Sequence, residues 1–179
     1  MANHGICIST SMTAWNVDSH KVCGVYASGN LDNGVCVVLG DMNVAATTKK
    51  INGYEYNVTP ATSSSKNVWI VRTPEGGSNI EMQMYGDPRY FYNEAGRPMS
   101  LCYLQPHVDH IEVDANCFAN GSLPTAGGDA YVVITTGGKF ATAASAPQTG
   151  ATYFVVVGFK SIAVGNEFID TVVLRCEQN

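Results

Sequence analysis

Charge is scarce in this 179-residue chain. Asp, Glu, Lys and Arg make up 14% of it, against about 25% in an average globular protein. A basic run is also missing, and with a net charge of -5 there is nothing to displace counterions from a phosphate backbone, which argues against nucleic acid as a partner. No two of the six cysteines (Cys7, Cys23, Cys36, Cys102, Cys117, Cys176) stand in a C-x-x-C pair. That removes the short paired spacing of a zinc shell and leaves buried free thiols as the expectation. Apolar runs such as Tyr153 to Val157 are far too short to span a bilayer, so no membrane partner is expected. The opening MANHGICIST has neither a positive leader nor a long apolar stretch, and a soluble protein made in a reducing cytosol is expected.

Motifs that carry chemistry are lacking too. There is no G-x-S-x-G elbow, no Walker loop and no G-x-G-x-x-G after a strand; the glycine pairs at Gly76, Gly127 and Gly137 read as turns. Helical periodicity is weak throughout. The exception is DPRYFYNEAG, where Asp87 can cap, Pro88 can take the first helical position and Gly96 can end about two turns.

What the chain does have is β-strand pattern. Lys21 to Ala27, Val35 to Leu39 and Asn67 to Thr73 read as strands. Gly40 to Ser65 is polar, predicted as loop with one short strand at Tyr54 to Val58. VCVVL is apolar at nearly every position, which predicts cover on both faces. After Gly96 the alternation sharpens. Leu101 to Leu104, Asp109 to Cys117, Ala130 to Thr136, Lys139 to Ala143, Thr152 to Val164 and Glu167 to Cys176 follow as strands. A bulge is predicted at Gly158 in the longest of them. The predicted class is all-β, with a small antiparallel barrel or sandwich in the C-terminal half. Three parts are expected: an extended arm (Met1 to His20), an irregular β-rich lobe (Lys21 to Ala95) with at most one short helix, and the barrel or sandwich (Gly96 to Asn179).

One stretch concentrates ionisable side chains: His107, Asp109, His110, Glu112 and Asp114. On a strand, His107 and Asp109 share one face, and His110, Glu112 and Asp114 the other, so His107, Asp109 and His110 are the weak metal-ligand candidates. A solvated polar face is the commoner meaning of the same pattern, and neither a catalytic residue nor a cofactor is predicted. For contact with a partner the candidates are Ile6, Ile8 and Trp15 in the arm, with Tyr85, Tyr90, Phe91 and Tyr92 in the aromatic segment.

The succession of LDNGVCVVLG, NVWIVRTPE, YGDPRYFYNEAGRPMSLCYLQPHVDHIEVDANCF, GGKF and TVVLRC resembles small β-rich proteins of tailed bacteriophages. Those proteins are encoded beside the major capsid protein and act as capsid decoration, or cement, proteins. The resemblance spans roughly Val22 to Cys176 and rests on the order of phrases. It implies a non-enzymatic virion protein, synthesised in the host cytoplasm, that binds the capsid exterior and reinforces it where capsomers meet. Its implied partners are the major capsid protein and copies of itself around local symmetry axes. Three alternatives stay open: a virion-displayed receptor- or carbohydrate-binding domain, a tail or baseplate component, and a metal-dependent enzyme.

Overall fold

The computed structural model describes residues 3–8, 12, 20–44, 51–75, 87–125, 131–147 and 150–179. Eleven strands account for the regular structure: β1 (Cys7–Ile8), β2 (Lys21–Val25), β3 (Cys36–Val44), β4 (Ile51–Pro60), β5 (Trp69–Val71), β6 (Pro98–Tyr103), β7 (His110–Asp114), β8 (Tyr131–Ile134), β9 (Phe140–Ala143), β10 (Tyr153–Val164) and β11 (Glu167–Gln178). The class is all-β, as the alternation predicts. Among the described residues two short 3-10 helices stand between strands, Pro88–Tyr90 and Ala115–Cys117. The first starts as the sequence says, on an Asp87 side chain that accepts from the Arg89 amide, with Pro88 at the opening of the turn. It stops after one turn, because Phe91 returns to extended backbone.

The strands form two units. β2, β4, β3, β5 and β6 close into a five-stranded barrel, and β1, β7, β11, β10, β8 and β9 form a sheet in that order. This differs from the expected placement: the closed barrel is built from strands between Lys21 and Tyr103, and the strands after it form, with β1, a six-stranded sheet. The polar stretch after Gly40 misled the prediction, because it carries the end of β3 and the ten-residue β4. Strands with one face toward water need little apolar sequence. Closure also needs a parallel pairing, Cys23 with Glu55 through Val25 with Asn57, between chain segments far apart in sequence.

The expected joint at Gly96 moves as well. β6 follows that glycine, yet it pairs with β2 (Cys23 to Ser100) and with β5 (Ile70 to Cys102) and so belongs to the barrel. The N-terminal segment is no free arm where it is described. Cys7 and Ile8 pair with Val113 and Glu112 of β7, and Met12 is buried.

Alternation along the barrel strands builds two cores at once. Val35, Val37, Val71 and Leu101 point into the barrel with Leu31, Val58 and Met99. The residues between them, Cys36, Ile70 and Cys102, point outward into a larger core shared with Ile111, Val113, Phe118, Phe140, Phe154 and Leu174 of the sheet. The two-sided cover read from VCVVL therefore has a cause: barrel interior on one side, sheet on the other. Phe140 stacks edge-on against Phe154 at 5.2 Å between centroids, fixing the middle of the shared core.

Backbone contacts lock the units together. The turn between β8 and β9 carries Gly137 and Gly138, both at positive φ (91° and 77°). Gly138 donates to the Ala61 carbonyl (3.0 Å) and accepts from the Cys36 amide (2.8 Å), so a sheet turn is bonded to the barrel wall. Asn179 adds a second clamp. Its amide group donates to the carbonyls of Val68 and Leu104, both at 2.9 Å, while its oxygen accepts from the Val68 amide at 2.6 Å and from the Thr152 hydroxyl at 2.9 Å.

Candidate functional site

The ionisable stretch at β7 does not assemble into a metal shell. His107 sits at the turn before the strand with φ 63°. Its side chain is 73% exposed, and Nδ1 lies 3.1 Å from Glu177. Asp109 is fully buried, and its carboxylate accepts the Gln105 amide at 2.7 Å. His110 turns its Nδ1 back to the Val108 carbonyl at 3.0 Å. Among the described residues, no three His, Cys, Asp or Glu side chains converge in a way that could hold a metal ion.

Asp109 is instead a turn-builder. Its amide donates to the Gln105 carbonyl and its carbonyl accepts from the Cys176 amide, both at 3.0 Å, so the chain enters β7 bonded to β11. Asp109→Ala leaves the Gln105 amide without its buried acceptor, and a loss of about 2 kcal/mol in unfolding free energy is expected. Asp109→Asn, which keeps a carbonyl acceptor, should lose less. Urea melts check both, and an unchanged midpoint for the alanine variant would remove the carboxylate from this structural role.

The polar face predicted for this strand also needs correcting. Ile111 and Val113 enter the core, as the alternation requires, but Glu112 (8% exposed) and Asp114 (2%) on the other face are covered as well. Asp114 accepts from the Ile6 amide at 2.9 Å and from the Asn116 side chain at 2.8 Å. Glu112 accepts from the Thr171 hydroxyl at 2.7 Å and pairs with the Lys160 ammonium at 3.2 Å. Buried carboxylates survive only with such partners. The strand itself ends at Asp114, where a 3-10 turn replaces the predicted continuation to Cys117.

The thiols do not form a nucleophilic centre. Burial pushes Cys7 and Cys176 up to about 12 and holds Cys36 and Cys117 well above the ordinary thiol range. A reactive cysteine needs the opposite environment.

The expected contact residues divide. Ile6 (3% exposed) and Phe91 (7%) are consumed by the protein's own core, which corrects their assignment as partner contacts. Ile8, Tyr90 and Tyr92 are half-buried; Trp15 and Tyr85 lie outside the described residues. The N-terminal segment and the aromatic segment meet each other. His4 donates its amide to the Arg89 carbonyl at 2.7 Å, and its ring lies 5.0 Å from that of Tyr92.

Among the described residues the exposed large apolar side chains are Tyr54, Val108 and a group of three on the β10–β11 hairpin. β8 pairs with β10 only over Tyr153 to Val155, and β7 pairs with β11 only over Thr171 to Arg175. Beyond those pairings β10 and β11 bond to each other as a two-stranded ribbon, bulged between Val156 and Gly158. It exposes Val157 (53%), Phe159 (43%) and Phe168 (80%). Phe159 faces Val172 and Phe168 faces Ala163, an even number of residues apart along each strand, so both phenylalanines share a face. Glu167 at the tip is ion-paired with Arg89, which Asp87 grips through two guanidinium nitrogens. The grip holds the Asp87 carboxyl below its usual range, first through the Arg89 side-chain hydrogen bond. Sequence reading passed over this ribbon because Phe159 and Phe168 fit the alternation of ordinary core strands. The one legible sign was length, since these strands outrun every neighbour.

Comparison with protein-family models, with curated proteins and with solved structures gave no match to this chain.

Proposed function

We propose that the protein is a structural component of a tailed-phage virion that binds the outside of the capsid and reinforces contacts between capsomers. Its partners on this reading are the major capsid protein and further copies of itself, and it performs no catalysis. The observation that carries the proposal is the β10–β11 ribbon, whose exposed Val157, Phe159 and Phe168 stand clear of the chain's own cores. Aromatics exposed together on a rigid element are the usual anchors of a protein interface. The Arg89–Glu167 pair ties the ribbon's tip to the 3-10 turn Pro88–Tyr90, which limits what must be ordered on binding. The resemblance of its succession of sequence phrases to phage cement proteins points to the same reading.

The double substitution Phe159→Ser and Phe168→Ser removes both anchors, neither of which is among the buried core residues. Binding to capsids stripped of the protein should weaken by about 30-fold or more, the loss of one strong anchor. Co-sedimentation measures it, and undiminished occupancy would sink the ribbon's role. Copy number per virion tests location: on the order of hundreds fits a capsid lattice, about six or twelve fits a tail or a vertex.

A second reading, a virion-displayed carbohydrate-binding domain, draws on a cleft of about 490 Å³ lined by Leu123, Pro124, Phe159, Ser161 and Asp170. An apolar platform beside a hydroxyl and a carboxylate is suited to a sugar ring. Binding on a glycan array that Asp170→Ala abolishes would favour this reading over a mechanical cement.

A further inference from the structure

Asn-Gly occurs three times in the chain, at Asn33, Asn52 and Asn120, and the fold treats the steps differently. Asn33 is 2% exposed, and its carboxamide is bonded at both ends to one residue: Nδ2 donates to the Thr73 carbonyl at 2.9 Å and Oδ1 accepts from the Thr73 amide at 3.0 Å. The Gly34 amide donates to the Val71 carbonyl at 2.8 Å. Side chain and following nitrogen are both held inside the protein. Asn52–Gly53 lies within β4.

Asn120 stands in the open. It belongs to the turn after the 3-10 helix Ala115–Cys117, where Ala119, Asn120, Gly121 and Ser122 are all exposed. Gly121 has φ 67°, and a Cβ built on it would meet no described atom within 4 Å. Its nitrogen therefore carries no side-chain shield. Two hydrogen bonds shape the step. The Ser122 amide donates to Asn120 Oδ1 at 3.1 Å, the oxygen that gains negative charge when the side-chain carbonyl carbon is attacked. The Gly121 amide donates to the Phe118 carbonyl, also at 3.1 Å. That second bond must open first, and in a turn exposed at four successive residues it opens without disturbing either core.

We propose that Asn120 is a site of self-modification, at which the chain turns its own carboxamide into a carboxylate. The Gly121 nitrogen bonds to Asn120 Cγ and gives up its proton, the Cγ–Nδ2 bond breaks, and Nδ2 leaves as ammonia. Water then opens the resulting imide at either carbonyl, giving aspartate or isoaspartate. The reacting atoms belong to adjacent residues, so no encounter has to be arranged. Asn33 is spared because its side chain and the Gly34 nitrogen are released only when the barrel wall opens. The product puts a new negative charge three residues before Leu123, which lines the cleft beside Phe159. The proposal is independent of the capsid reading.

Peptide mapping by liquid chromatography and mass spectrometry tests it, on the intact chain aged over days in mildly alkaline buffer. The Asn120 peptide should split into two products, aspartate and isoaspartate, each heavier by about one mass unit, at least about tenfold faster than the Asn33 peptide. In urea the two sites should convert at comparable rates. Gly121→Ala, folded as judged by its melt, should slow conversion at Asn120 by about tenfold. The comparison within the native chain needs no variant, so it decides the matter even if the alanine disturbs the turn. An unchanged Asn120 peptide, Asn33 converting as fast as Asn120 in the native chain, Asn33 staying slow in urea, or full speed in folded Gly121→Ala would each overturn the proposal.

Discussion

Among the described glycines, Gly138→Ala should be the most damaging methyl addition, costing more than about 4 kcal/mol and abolishing the cooperative fold in ordinary buffer. The expectation has two parts. Gly138 has φ 77°, where any residue with a Cβ is strained by about 1–2 kcal/mol. A Cβ built there would also meet the Cys36 carbonyl oxygen at 2.1 Å and Val35 Cγ1 at 2.8 Å. The first obstacle is backbone of the barrel's β3 and cannot rotate away. Relief would require the sheet's turn to withdraw, and that withdrawal breaks the bonds from Cys36 to Gly138 and from Gly138 to Ala61 that join sheet to barrel.

The neighbouring glycine is the control. Gly137 has φ 91°, but a Cβ there meets nothing within 4 Å. Gly137→Ala should therefore lose only the backbone strain, about 1–2 kcal/mol, and fold normally. Urea or thermal melts of the two variants check this. Equal losses at the two positions would mean that the turn does not press on the barrel.

High pH should unfold the protein through its thiols. All six are held above their ordinary value, in each case first by burial; the large shifts are those of Cys7, Cys36, Cys117 and Cys176, where neighbouring carboxylates or thiols add to it. A raised folded-state pKa means the native protein keeps a proton that the unfolded chain gives up. Stability from these groups is therefore complete below the unfolded thiol pKa near 9 and is lost as pH rises from there toward about 12, the value for Cys7 and Cys176. Each pH unit above 9 is worth roughly 1.4 kcal/mol per thiol. At pH 10 the four together cost on the order of 5 kcal/mol, comparable with the whole stability of a typical domain.

Urea midpoints at pH 7.5 and pH 10 under reducing conditions measure the loss. Substituting Cys176→Ala should reduce the pH dependence by about a quarter of the thiol share, even though it lowers stability at neutral pH. A midpoint that stays constant between the two pH values would show that these sulfurs are not enclosed as described.

The sites show where legibility ended. Alternation placed Ile111 and Val113 in the core correctly, because an apolar face has few places to go. The same pattern called Glu112 and Asp114 solvated, and that failed. Their cover comes from Ile6, Lys160 and Thr171, on segments roughly fifty to a hundred residues away, whose approach no local pattern records.

Sequence alone determined that the described structure is β, that its thiols are free and, Cys23 apart, buried, that VCVVL is covered on both faces, and that the long tenth strand is bulged next to Gly158. These are properties of single strands, set by periodicity and strand length. Tertiary structure alone decided which strands close the barrel, where the two units join, and which polar groups are buried between them. Strand pairing is a contest among distant segments with similar patterns, and long-range hydrogen bonds and a shared core settle it.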